Sequence, residues 1–146
     1  MEVIRINPDL SLIPFYSAPE QALTWYQDLK LCKQVDNIDY PYSLERLEAM
    51  YNYLTSHGEC YYIKFQDQLI GDISLYDENE IAIVICKEFQ NKHLGRKCVS
   101  AIMMRAQEKG LSSVKAQIYN FNKQSQAMFQ ALGFHKTAKE EFSFDF

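Results

Sequence analysis

The stretch "CKEFQNKHLGRKC", residues Cys86–Cys98, decides how this chain is read. It follows the apolar run "EIAIVIC" (Glu80–Cys86) and leads into a segment with Leu94, Cys98, Ile102 and Ala106 on one helical stripe, stopped by Gly110. The hydrophobic period therefore switches from strand to helix across a polar turn, and that turn carries four cationic side chains against one acid. A strand ending at Cys86 and a helix starting near Leu94 aim unpaired backbone N–H groups and the positive end of the helix dipole at one spot, which suits a phosphate. Gly95 lets a ligand approach the backbone closely, and Lys92, Arg96 and Lys97 add positive field. A solvated loop face would use the same cations, so the stretch alone leaves both readings open.

Upstream, a short strand is expected at Val3–Ile6. Ser17 as N-cap, Pro19 in the first turn and Glu20 closing a capping box then predict a helix running to about Leu29. A second helix follows "YPYS", capped by Ser43, with Leu44, Leu47, Tyr51 and Leu54 at helical spacing and "HG" at its end. "CYYIKFQ" and "LIGDISLY" flank the polar turn "QDQ" and read as a hairpin, and "EIAIVIC" is apolar enough to lie within a sheet. Downstream of the long helix, "SVKAQIYN" alternates as a strand. "NKQSQAMFQALG" is a short helix between the cap Asn122 and the terminator Gly133, and "FHKTA" with "EFSFDF" forms a closing hairpin. The expected order is β-αα-βββ-α-β-α-ββ, an α+β fold with a mixed central sheet flanked by helices, in a single domain over residues 1–146.

Bulk properties narrow the function. A chain of 146 residues with 47% hydrophobic and 14% aromatic content can bury a sizeable core, and it holds no run long and apolar enough for a membrane span. The N-terminal "MEVIRINPDL" lacks the basic-then-apolar pattern of a secretory signal, and the four cysteines show no CxxC spacing. A cytoplasmic protein with reduced thiols and no bound metal is expected. A net charge of −4 argues against a nucleic-acid face and permits a cationic partner.

Two motifs together point to a family. "QNKHLGRK" resembles the Q/R-x-x-G-x-G/A pyrophosphate loop of the GCN5-related N-acetyltransferase (GNAT) superfamily, and "NKQSQAMFQALGF" resembles its second signature, an Asn before a short helix ending in Gly-Phe. "WYQD" (Trp25–Asp28) and "LIGDISL" (Leu69–Leu75) are further similar to the branch that acetylates N-termini of ribosomal proteins. The resemblance implies an acetyl-CoA-dependent N-acetyltransferase, with acetyl-CoA as co-substrate and no metal. It would move an acetyl group by direct transfer to a primary amine: a protein N-terminus, a polyamine or a small amine. The alternative is a non-catalytic acyl-CoA-binding or sensor protein. No nucleic-acid or membrane partner is implied, and the chain would be a monomer or homodimer.

Carried over to single positions, the resemblance assigns backbone groups at Ile83, Val84 and Ile85 to the pantetheine arm. Gln90, Asn91, Lys92, His93, Leu94, Gly95, Arg96 and Lys97 are assigned to the pyrophosphate, with the Asn122 side chain orienting the arm. His93 stands where the loop usually has its first glycine, which is tolerable if that residue avoids positive φ. Phe129 stands where many relatives have a tyrosine that protonates the departing thiolate. Ser125, Met128, Phe129 and Leu132 share one helix face, and Ser125 matches a serine that is a candidate general acid in the ribosomal branch; a hydroxyl bonded to its own helix is the other reading. Glu80 is the first candidate for the general base, set against a solvated strand-end carboxylate. Gln117 occupies a position where some relatives carry a glutamate base, and a water chain is a further route. Asp28, Asp36, Asp39, Tyr40 and Tyr42 would give the acceptor side an acidic, aromatic lining. Cys60, Cys86 and Cys98 are expected to be structural, and His57 and His135 to lie away from the chemistry.

Overall fold

The computed structural model describes residues 1–146. The N-terminal segment forms a hairpin, β1 (Ile4–Asn7) and β2 (Leu10–Pro14), and three helices follow: α1 (Pro19–Trp25), α2 (Leu29–Asp36) and α3 (Leu44–Ser56). Next come β3 (Gly58–Phe65), β4 (Gln68–Tyr76) and β5 (Glu80–Ile85), a short 3₁₀ turn at Lys87–Phe89, and the long helix α4 (Leu94–Glu108). The chain closes with β6 (Ser113–Gln117), α5 (Lys123–Ala131), β7 (His135–Ala138) and β8 (Glu141–Asp145). All strands join one eight-stranded sheet in the order β1-β2-β3-β4-β5-β6-β8-β7. The α+β class with a mixed sheet flanked by helices holds.

The element order differs from expectation in two places. A second N-terminal strand is present because the Asn7 carboxamide accepts hydrogen bonds from the Asp9 and Leu10 N–H groups, folding the chain back on itself. Leu10 and Leu12 are fully buried where β2 pairs with β3. The single helix expected to reach Leu29 is two. Ser17 is not its cap: α1 begins after Ala18 with no side-chain cap. Asp28 interrupts the helical run by accepting from the Lys30 N–H at 3.0 Å, and so starts α2 as its N-cap. The break turns Tyr26 inward to full burial.

Elsewhere the expected caps are found. Ser43 accepts from the Arg46 N–H at 3.1 Å at the start of α3, and Leu47, Tyr51 and Leu54 face the core while Leu44 stays exposed. The β3–β4 turn places Gln66 and Asp67 at consecutive positive φ, the backbone twist that suits a two-residue hairpin. The Leu94, Cys98, Ile102 and Ala106 stripe of α4 is buried. At the other end of that helix, Arg105 and Lys109 both bond the Glu59 carboxylate on β3, at 2.9 and 3.0 Å. The Arg105 hydrogen bond is the main reason that carboxyl is held down at about 2. This tether holds the C-terminal end of α4 to β3.

One feature of the sheet prepares the site. β5 and β6 are parallel neighbours that pair in register only at Glu80↔Lys115. Beyond that pair they diverge, and the edge of β5 from Ala82 to Ile85 has no strand beside it.

Candidate active site

The opening between β5 and β6 is the wall of a groove of about 390 Å³. Ile83, Val84 and Ile85 form one side, the turn Phe89–Asn91 with His93, Leu94, Gly95 and Arg96 forms the end, and Asn122, Ser125 and Met128 of the α5 region face them. None of the backbone N–H groups from Asn91 through Arg96 finds an acceptor within the chain, and α4 has no side-chain cap. Unsatisfied donors at a helix N-terminus, beside the positive end of its dipole, are what an anion requires. Gly95 supplies the space. A Cβ there would stand 3.4 Å from Ile85 Cδ1, 3.7 Å from Met128 Cε and 3.8 Å from Ile83 Cδ1, inside the gap between β5 and α5. The groove is thus a slot with an exposed strand edge along it and free amides at its end, an arrangement that could hold an extended anionic ligand.

Gln90, assigned to the pyrophosphate, donates its side-chain amide to the Ile85 carbonyl at 2.8 Å and so ties the turn to the strand. Asn122 uses Oδ1 to accept from the Ser125 N–H at 3.2 Å, capping α5, which leaves its amide NH₂ without a partner in the chain. His93 does not meet the condition under which a residue other than glycine is readily tolerated there. It lies at φ 63°, in the left-handed region, and Asn91 at 62° does the same. Histidine there costs about 1–2 kcal/mol relative to a relaxed conformation, the physical reason glycine is usual in such loops. Lys92 and Lys97 do not line the groove. Lys97, one helical step beyond Arg96, turns to the opposite side of α4, toward the N-terminal strand.

A second cavity of about 370 Å³ lies on the α1–α3 side of the sheet. It meets the groove at residues that line both: Gln34 and Val35 of α2, Ile83 and Val84 of β5, Asn122, and Ser125. Ser125 is therefore at the junction, half-buried, and its hydroxyl makes no hydrogen bond within the chain. Phe129 is not in the groove. It is 2% exposed, packs edge-on against Phe134 with ring centres 5.0 Å apart, and lines the second cavity. One helical turn beyond Ser125, it is carried past the junction and into the core.

The second cavity is aromatic and contains two carboxylates, Asp36 and Asp72. Asp36 is neutralised by the Arg46 guanidinium at 2.5 Å and accepts from the Tyr42 hydroxyl at 2.9 Å, and Arg46 lies 4.9 Å over the Tyr42 ring. Of the acceptor-side residues expected from sequence, Asp36 and Tyr42 reach the cavity. Asp28 instead caps α2, Asp39 forms an exposed pair with Lys33, and Tyr40 is exposed. Glu80 does not line the cavity. Its carboxylate accepts from the Tyr76 hydroxyl at 2.8 Å, and Tyr76 is the residue that reaches the lining. Gln117 lines it with an amide bonded to Glu141.

Asp72 was not singled out by sequence reasoning. It lies on β4, 4% exposed, with Oδ2 accepting from Tyr26 at 2.7 Å and Tyr51 at 2.8 Å. Burial pushes its carboxyl up to about 6, against the downward pull of the two hydroxyls. The available signal was the acid itself, set in the otherwise apolar "LIGDISL". Burial also pushes the Cys60 and Cys98 thiols up to about 12 and Cys86 up to about 11, so none is a thiolate at neutral pH. His57 stacks on exposed Tyr53, and His135 is on a surface strand. No cluster of His, Cys, Asp or Glu suited to a metal ion is present, and no helix is long and apolar enough to cross a membrane.

Comparison with known proteins identifies the family and the fold. The model of the acetyltransferase (GNAT) family matches residues 22–134. A GNAT-family acetyltransferase from Bacillus anthracis superposes with a TM-score of 0.83 at 14% identity, over 99% of this chain and 98% of that one. RimL, the ribosomal L7/L12 alpha-N-protein acetyltransferase solved with coenzyme A, gives 0.73 at 15% identity over 99% and 98%. A spermidine N-acetyltransferase from Vibrio cholerae, solved with CoA and spermine, gives 0.76 at 16% identity over 94% and 93%. At such identities the likeness is one of fold. Among curated proteins none matches the chain.

Proposed function

The chain belongs to the acetyltransferase (GNAT) family, and from that premise we propose that it is an acetyl-CoA-dependent N-acetyltransferase acting on a primary amine by direct transfer, as one domain over residues 1–146. The observation that carries this reading is the meeting of two unlike cavities at Ser125 and Val84: one ending in free backbone amides, the other aromatic and anionic. Solved family members hold CoA alone or with spermine, which supports the same pairing of ligands.

The pyrophosphate is held by the N–H groups of Asn91–Arg96 with Arg96 beside them, and the pantetheine amides extend the sheet along Ile83–Ile85 where β6 has diverged. The thioester then arrives at the junction. An amine held in the aromatic cavity attacks its carbonyl, and most of the rate comes from aligning the two. As the C–S bond breaks, the unengaged Ser125 hydroxyl donates to the sulfur; a donor of this kind contributes about 10²–10⁴-fold. The buried thiols, held protonated, leave no acyl-enzyme route through Cys60, Cys86 or Cys98. Glu80 is a secondary candidate for proton removal, acting through Tyr76.

The test is purified protein with acetyl-CoA against peptides, polyamines, amino sugars and simple monoamines, followed by release of free thiol. Turnover of an amine is expected. Tight acetyl-CoA binding without transfer to any amine would overturn the reading in favour of an acyl-CoA sensor, the alternative suggested by Phe129 and Gln117 standing where relatives carry catalytic groups.

A further inference from the structure

The two carboxylates of the acceptor cavity are not equivalent. Asp36 is already paired with Arg46, whereas Asp72 has no cation near it. The groups packed around Asp72 are Tyr26 after α1, Tyr51 from α3, Cys60 and Tyr62 from β3, Val84 opposite on β5, and Tyr42 beyond Tyr26. None is cationic. Both tyrosine hydroxyls are spent on the same oxygen, Oδ2, which leaves Oδ1 without a partner in the chain. A carboxylate taken out of water without a counter-charge is costly unless something positive joins it. Asp72 lines the cavity, and its cross-strand neighbour Val84 lines both cavities. One strand spacing, about 4.8 Å, thus separates its backbone from that of a residue at the junction.

We propose that Asp72 receives the ammonium group of the acceptor on Oδ1 and takes its proton, with Tyr26 and Tyr51 as positioning residues, and that the acceptor is a monoamine with an aromatic or apolar body. The inference rests on the N-acetyltransferase reading above. One proton of R–NH₃⁺ passes to the Asp72 carboxylate, and the freed nitrogen lone pair forms the N–C bond to the acetyl carbonyl. The C–S bond breaks, a second N–H proton ends on the CoA thiol by way of Ser125, and the proton on Asp72 leaves to solvent after the amide. The sum is R–NH₃⁺ plus acetyl-CoA giving the amide, CoA thiol and one proton. The substrate class follows from the walls. Only one carboxylate is free to meet a cation, and the surrounding surface is Tyr42, Tyr53, Tyr76, Tyr119 and Phe129. A second ammonium, as in a polyamine, would meet aromatic faces, the carboxylates of Glu80 and Asp77 lying outside the lining behind the Tyr76 and Tyr53 hydroxyls that bond them.

Steady-state kinetics with phenethylamine, spermidine and a peptide with a free N-terminus, each with acetyl-CoA, test this. Phenethylamine is expected to be preferred in kcat/KM by about tenfold or more, and Asp72→Asn to lower that value by about 10²-fold, with CoA affinity by calorimetry unchanged. The wild-type kcat/KM should fall below a pH near 6, where Asp72 protonates, and Asp72→Asn should lose that limb. Tyr26→Phe and Tyr51→Phe each remove a bond that favours the charged carboxylate, so each should move the limb to higher pH, a readout that a purely structural role would leave in place. If Asp72→Asn fails to fold, the two tyrosine variants decide, and an unmoved limb overturns the assignment. Transfer that is indifferent to Asp72→Asn overturns Asp72 alone. Preference for spermidine or the peptide overturns the monoamine class. Absence of transfer to every amine in the presence of bound acetyl-CoA overturns the transferase reading itself, and this inference with it.

Discussion

The groove under α4 is built largely of backbone: free amides from Asn91 to Arg96, a bare strand edge at Ile83–Ile85, and the missing side chain of Gly95. The second cavity is built of side chains brought from α2, α3, β4, β5, β6 and α5, with Tyr26 from the turn after α1. Under the proposed function, a backbone site recognises what every acyl-CoA shares, and it tolerates sequence change so long as the turn keeps its shape. A side-chain site recognises one acceptor, and each of its residues is supported by others far away in the chain, as Tyr26 and Tyr51 support Asp72. Substitutions in the first region should therefore act on affinity and those at the junction on rate.

The largest effect that would break this division is expected at Ser125. Ser125→Ala should lower kcat by about 10²-fold, roughly 2.7 kcal/mol of transition-state stabilisation, with acetyl-CoA affinity little changed. Unaltered turnover would assign the proton to water and strip the junction of its chemical role.

Next in size is Gly95→Val. Its Cβ meets Ile85, Met128 and Ile83 at ordinary contact distances, so the fold persists. The added methyls fill the slot and should weaken CoA binding tenfold or more, about 1.4 kcal/mol. Calorimetry showing full affinity would remove the α4 N-terminus from the site. Asn122→Ala is smaller: loss of the α5 cap should cost about 1 kcal/mol of stability in denaturant unfolding, and because α5 carries Ser125, kcat should decline with it. The least effect belongs to Lys97→Ala. Its side chain faces away from the groove, so CoA affinity should stay within about twofold, as for an exposed charge that makes no direct contact. A large loss there would show that cationic side chains, rather than amides, dominate phosphate binding.

Much of the fold and the position of the turn between β5 and α4 could be read from sequence, because each depends on residues close together in the chain. The strand-to-helix switch at Cys86–Leu94, the stripe from Leu94 to Ala106, the caps Ser43 and Asn122 and the stops Gly110 and Gly133 are local patterns with local causes. The β1–β2 hairpin and the break at Asp28 are local too, and went unread because the Asn7 turn and the Asp28 cap interrupt runs that otherwise look continuous. Tertiary structure alone decided the rest. Whether β5 and β6 stay paired or part, which way Lys97 and Phe129 face, and that His93 accepts a left-handed backbone depend on packing between distant elements. The buried carboxylate of Asp72 is the clearest case. Its charge state is set by burial, opposed by the hydroxyls of Tyr26 and Tyr51, 46 and 21 residues away, and burial by elements separated in sequence is a property no short window of residues can hold.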